Sequence, residues 1–94
     1  MKHPETDNEK RALVALYKTC LDNIGGTCLA DLESDPYTWV GWEDLLTRGW
    51  SVAAAKGTFG ALYDKGLVAY DSENTHFLPR AAYRLAANFN YEAL

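Results

Sequence analysis

Cysteine is nearly absent. Cys20 and Cys28 are the only two and stand outside any C-x-x-C spacing, which excludes a disulfide-stapled secreted scaffold. Both are expected as reduced, partly buried thiols. Long apolar runs are missing as well: the longest, Ala12 to Tyr17 and Gly66 to Tyr70, fall far short of a bilayer span, and the first residues hold no signal-peptide apolar region. A cytoplasmic protein without membrane contact is therefore expected. Histidine is confined to His3 and His76, neither at metal-ligand spacing from a cysteine, so neither a metal nor a cofactor is expected. There is no glycine-rich phosphate loop, no Ser-His-Asp set and no Cys-His nucleophile, and so short a chain leaves little room for a deep cleft. The expectation is a protein that is not an enzyme and has no evident small-molecule substrate.

What is present is ordinary globular material. With 94 residues, 48% hydrophobic and 23% charged, the chain is expected to fold as one domain, residues 1 to 94, around one core. The net charge of −4 and a pI near 5.0 oppose strong non-specific attraction to nucleic acid or anionic lipid. That charge is concentrated: between residues 25 and 50, Asp31, Glu33, Asp35, Glu43 and Asp44 face Arg48 alone, while the other segments nearly cancel.

The local pattern predicts a mainly α fold with a small β hairpin. A first helix begins near Thr6, because Thr6-x-x-Glu9 has the spacing of a capping box, and runs to about Asn23 with Leu13, Leu16, Cys20 and Ile24 on one stripe. Lys10, Arg11, Lys18 and Asp22 lie largely off that stripe. Gly25-Gly26 closes the helix. Leu29 and Leu32 offer a single helical turn before Asp35-Pro36. Trp42 to Arg48 reads as a short helix with Gly49 as its cap, and Ser51 as the N-cap of a helix that ends at Gly66. In that helix Val52, Ala55, Phe59, Leu62 and Tyr63 are expected to form the apolar face. Leu67 to Tyr70 and Thr75 to Leu78 then pair as a hairpin around the turn-forming residues Asp71 to Asn74. Pro79 suits a first helical position, with Ala82, Tyr83, Ala86 and Phe89 at helical spacing behind it.

Helix, short helix, glycine turn, helix, hairpin, helix is the order that a helix-turn-helix followed by a β wing requires. The segment Trp42 to Tyr70, and above all Leu62-x-x-Lys65-Gly66-Leu67-Val68, resembles the winged helix-turn-helix superfamily, in which such a sequence closes the recognition helix and enters the first wing strand. Phe77 to Ala82 resembles the exit from the wing into a last helix. The resemblance implies a macromolecule-binding module whose partner is either duplex DNA or another protein.

For DNA, the polar contacts on and around the third helix are Ser51, Lys56, Thr58 and Lys65, with Arg80 and Arg84 beyond the wing. The outward face of that helix, Ala53, Ala54, Gly57, Ala61 and Asp64, carries none of the Arg, Lys, Asn or Gln forks that read bases. A regulatory or accessory protein binding duplex DNA through its third helix and wing, and doing so as a homodimer, is expected on superfamily habit. The rival reading is a protein-binding module, or a small acidic inhibitor of a nucleic-acid-binding partner. It uses the smooth track of Ala53, Gly57 and Ala61 together with the acidic Glu43 and Asp44.

Three further patterns have a plainer expectation. Gly57-x-x-Gly60 matches the backbone-clamping loop of KH domains, but the apolar period runs through it and predicts helix. Tyr37, Trp39, Trp42 and Trp50 are expected mainly to pack the core and its rim. The pairs Asp31/Glu33 and Glu43/Asp44 are expected as solvated surface.

Overall fold

The computed structural model describes residues 6–34, 38–71 and 75–89. Its first element, helix α1 (Asp7–Ile24), starts as the spacing predicts. Thr6 Oγ1 accepts from the Glu9 amide at 3.1 Å, while Glu9 Oε1 accepts from the Thr6 amide at 2.9 Å. This reciprocal cap satisfies two of the donors that a helix start leaves orphaned. The stripe expected on α1 is too narrow, because five consecutive residues, Ala12 to Leu16, are all buried. The reason is position. The helix is surrounded by α2 (Leu29–Ser34), α3 (Glu43–Leu46), α4 (Val52–Asp64) and α5 (Arg80–Asn88), and packs against all four.

The short second helix, α2, forms where Leu29 and Leu32 predict a turn, and Leu32 is fully buried. Asp31 reaches back to accept from the amides of Thr27 (2.8 Å) and Cys28 (3.3 Å), fastening its first turn. Asp35, Pro36 and Tyr37 lie outside the described residues, as do His3 and residues 72–74 of the hairpin turn.

Gly25, Gly49 and Gly66 adopt left-handed φ values of 67°, 90° and 76°, closing α1, turning the chain between α3 and α4, and releasing it from α4. Such φ values strain any residue with a Cβ. Ser51 Oγ caps α4 by accepting from Ala54 N at 3.2 Å. The helix runs unbroken through Gly57 and Gly60, so this stretch is not an open loop.

Strands β1 (Ala69–Tyr70) and β2 (His76–Phe77) pair antiparallel, with Ala69 opposite Phe77 and Tyr70 opposite His76. The hairpin is thus shorter than the two four-residue strands expected. It gains a third member that the sequence did not reveal, since Val40 bridges His76 through a Val40 N to His76 O bond of 2.9 Å. Pro79 is the N-cap of α5 and not its first helical residue. Its ψ of 157° is extended, and its carbonyl accepts from Ala82 and Tyr83. The core unites Leu13, Leu16, Leu32, Leu45, Leu62, Leu67, Leu78 and Tyr83 from every layer. Among the described residues no helix is long and apolar enough to cross a membrane.

Candidate binding surfaces around helix α4

Helix α4 buries a narrow stripe, Ala55, Phe59 and Leu62. At 100° per residue, two edges flank it, centred roughly 90° to either side of the stripe. One edge, Ala54, Thr58, Ala61 and Lys65, turns toward α1; the other, Val52, Lys56 and Tyr63, turns toward α3 and the hairpin. Val52 and Tyr63 were expected in the core and are instead 51% and 46% exposed. They lie beyond the width that α1 covers.

On the α1 edge, Lys65 does not reach solvent as a phosphate contact. Its ammonium donates to both Glu9 carboxylate oxygens, at 2.7 and 2.6 Å, and both side chains are largely buried. Glu9 thereby serves two ends at once, capping α1 and holding the C-terminus of α4 against it. Thr58 and Ala61 are half-buried on this side. Ala53 and Gly57 are exposed, so the small-residue track is open at its first two members and partly covered at its third. A Cβ built on Gly57 or Gly60 meets nothing within 4 Å.

The other proposed nucleic-acid contacts are scattered. Ser51 is spent on its cap. The Lys56 ammonium sits 4.7 Å from the centre of the Trp42 ring, a cation–π stack. Arg80 is exposed at the start of α5, and Arg84, also exposed, pairs with Glu33 at 3.3 Å. The acidic flank is likewise dispersed into local work. Asp31 caps α2, Glu33 holds Arg84, and Asp44 accepts from Gly41 N at 2.8 Å, while Glu43 stands exposed at the start of α3. The two Asp31 hydrogen bonds from backbone amides hold its carboxyl below the ordinary aspartate value.

The α3–hairpin edge gathers aromatic rings. His76 is met edge-on by Phe59, Tyr63 and Tyr70, at centroid distances of 5.3, 5.8 and 5.6 Å. A groove of about 330 Å³ runs beside them, walled by Trp39, Trp42, Phe59 and His76, with Glu43 at its rim. Trp39 is 50% and Tyr70 52% exposed, and the Trp39 indole N–H donates to Asp71 Oδ2 at 2.9 Å. The sequence signal was present in the aromatic spacing, but the packing expectation for Trp39 fails because its indole is turned outward.

Elsewhere, Thr38, Cys20 and Tyr83 form a buried polar knot. Thr38 Oγ1 accepts from Asn23 Nδ2 at 3.1 Å. The Tyr83 hydroxyl is buried with no nitrogen or oxygen partner among the described residues, and the weakly bonding Cys20 thiol lies beside it. Burial pushes the Cys20 thiol up to about 11 and the Tyr83 phenol higher still, so both stay neutral. Cys28 is exposed, against the expectation of two partly buried thiols.

No family model matches the chain, and neither a curated protein nor a solved structure matches it.

Proposed function

We propose that the chain is a winged-helix module that binds a protein partner through the aromatic edge formed by α4, the α3 segment and the hairpin. The winged-helix reading is supported by the α3–Gly49–α4 turn, the antiparallel ribbon directly after α4 and the closing helix α5.

One observation carries the choice of partner. The exposed large apolar side chains among the described residues, Trp39, Val52, Tyr63 and Tyr70, all belong to α4, the hairpin or the segment bridged to it. A concentration of exposed large apolar side chains on one group of elements marks an interaction surface, and Trp and Tyr are the side chains that most often anchor protein interfaces. They carry large contact area at low entropic cost, and the Tyr63 and Tyr70 rings are already held against His76.

The duplex-DNA reading loses support on the same ground. Of its six contacts, Lys65 is held by Glu9 in a largely buried pair, Ser51 is a cap, and no base-reading fork stands on the exposed face. Lys56, Arg80, Arg84 and the half-buried Thr58 remain, scattered over α4 and α5, and so few cations give weak, salt-sensitive affinity.

The test compares capture by the intact chain with capture by a Val52→Asp, Tyr63→Ala double variant. Specific protein partners should be retained by the first and lost by the second, while random duplex at about 50 mM salt gives no complex at roughly 100 µM protein. Duplex binding in that range, abolished by Lys56→Glu with Arg80→Glu, would overturn the reading in favour of DNA.

A further inference from the structure

A second groove, of about 470 Å³, lies on the opposite side of α4, between α1 and the α3–α4 turn. Its wall draws Arg11 and Lys18 from α1 and Arg48 and Trp50 from the turn. Three cations and an indole from two distant segments meet there, with no acid among the lining residues, in a chain whose net charge is −4. Arg11 and Lys18 lie seven residues apart, two helical turns, and so fall on one stripe of α1, with the buried Ala15 between them as the floor of the groove.

The nearby carboxylates stand outside the lining. Asp7 pairs with Arg11 at 2.8 Å and Asp22 with Arg48 at 3.4 Å, and both acids are well exposed, at 63% and 77% of their side-chain surface. Exposed pairs of this kind contribute little and exchange readily for a better acceptor. Arg48 also donates weakly to Thr19 Oγ1 at 3.4 Å, which holds its guanidinium against α1.

We propose that this groove binds a single-stranded nucleic acid, with Arg11, Lys18 and Arg48 on successive phosphates and Trp50 as the ring on which a base stacks. Charge complementarity selects an anion. The indole among the cations selects a polyanion with flat apolar faces over an acidic peptide, because aromatic and cationic side chains together are what unpaired strands use. A concave groove selects the unpaired strand over a duplex, whose paired bases offer no free face to Trp50. This site is separate from the aromatic edge of α4, so either can fail without the other.

The experiment is a fluorescence-anisotropy titration of a labelled oligothymidylate of roughly 12 nucleotides. Binding is expected at about 50 mM salt, with affinity falling as salt rises at a log–log slope of about −2, the value for three neutralised phosphates on a single strand. Lys18→Glu with Arg48→Glu should weaken it at least tenfold, while Lys56→Glu on the opposite edge changes it less than twofold. All these side chains lie at the surface, and a thermal melt by circular dichroism checks that each variant folds. Oligothymidylate should quench tryptophan emission in the intact chain and lose most of that quench in Trp50→Phe. The proposal is overturned if no binding occurs at low salt. It is equally overturned if duplex of the same length binds as tightly, or if polyglutamate competes as well as the oligonucleotide.

Discussion

The two edges of α4 are built from opposite chemistry on one short helix. Toward α3 and the hairpin the surface is aromatic, with Trp39, Trp42, Tyr63, Tyr70 and His76 in mutual contact or on one groove. Toward α1 it is polar, ending in the buried Glu9–Lys65 pair at one end of the helix and the Arg11, Lys18 and Arg48 groove at the other. Neither character follows from the helix alone, whose outward track at Ala53, Gly57 and Ala61 is alanine and glycine. Each edge takes its chemistry from what packs beside it, so a bare helix serves as a partition between two surfaces.

Removing the Lys65 ammonium tests that partition most severely. Lys65→Met leaves the Glu9 carboxylate buried without its cation, and unfolding by urea should report a loss of about 3 kcal/mol. Adding Glu9→Gln should restore much of it. If Lys65 instead served a ligand at the surface, the single variant would keep its stability and lose binding.

A milder change separates the aromatic edge from the fold. Val52→Asp and Tyr63→Ala are at half-exposed positions, so each should shift stability by less than about 1 kcal/mol while partner capture is lost. A collapse of the fold in either would mean that this edge is core after all.

Gly57→Ala and Gly60→Ala should each raise stability by about 0.5–1 kcal/mol, since a Cβ there meets open space and alanine favours helix. If Gly57→Ala also weakens partner capture, the partner approaches the α4 backbone closely; unchanged capture confines the contact to the aromatic edge.

The smallest effect concerns Asp31. Its carboxyl titrates below the ordinary aspartate value in the folded chain because it accepts from the Thr27 and Cys28 amides. The stability it contributes is therefore fully present above the unfolded-state value of about 3.9 and is lost as pH falls through the lower folded value. Wild type and Asp31→Asn should differ above that window and converge below it in an acid-denaturation series.

Much of the fold was legible because its signals are local. The Thr6–Glu9 box, the Ser51 cap and the left-handed glycines each concern residues within one turn of one another, and the helices begin and end close to where those signals stand. What escaped was non-local. The Val40–His76 bridge joins positions thirty-six apart, the Glu9–Lys65 pair fifty-six apart. No periodicity reports either. The candidate sites suffered for the same reason. Lys65 and Arg84 look free in sequence and find carboxylates on other elements, whereas Arg11, Lys18 and Arg48 look unrelated and meet. The acidic run from Asp31 to Asp44 misled in the opposite sense, because closeness in sequence did not make a free charged face once Asp31 and Asp44 had bonded the backbone amides at the starts of their own helices.

The three tryptophans divide cleanly between the two surfaces, Trp39 and Trp42 on the aromatic groove and Trp50 on the basic one. Their indole N–H signals in a two-dimensional ¹H–¹⁵N NMR spectrum therefore report each surface separately. On titration with oligothymidylate the Trp50 signal should move while Trp39 and Trp42 stay in place, and a captured protein partner should do the reverse. Movement of Trp39 and Trp42 with nucleic acid, while Trp50 stays still, would contradict the division of labour across α4.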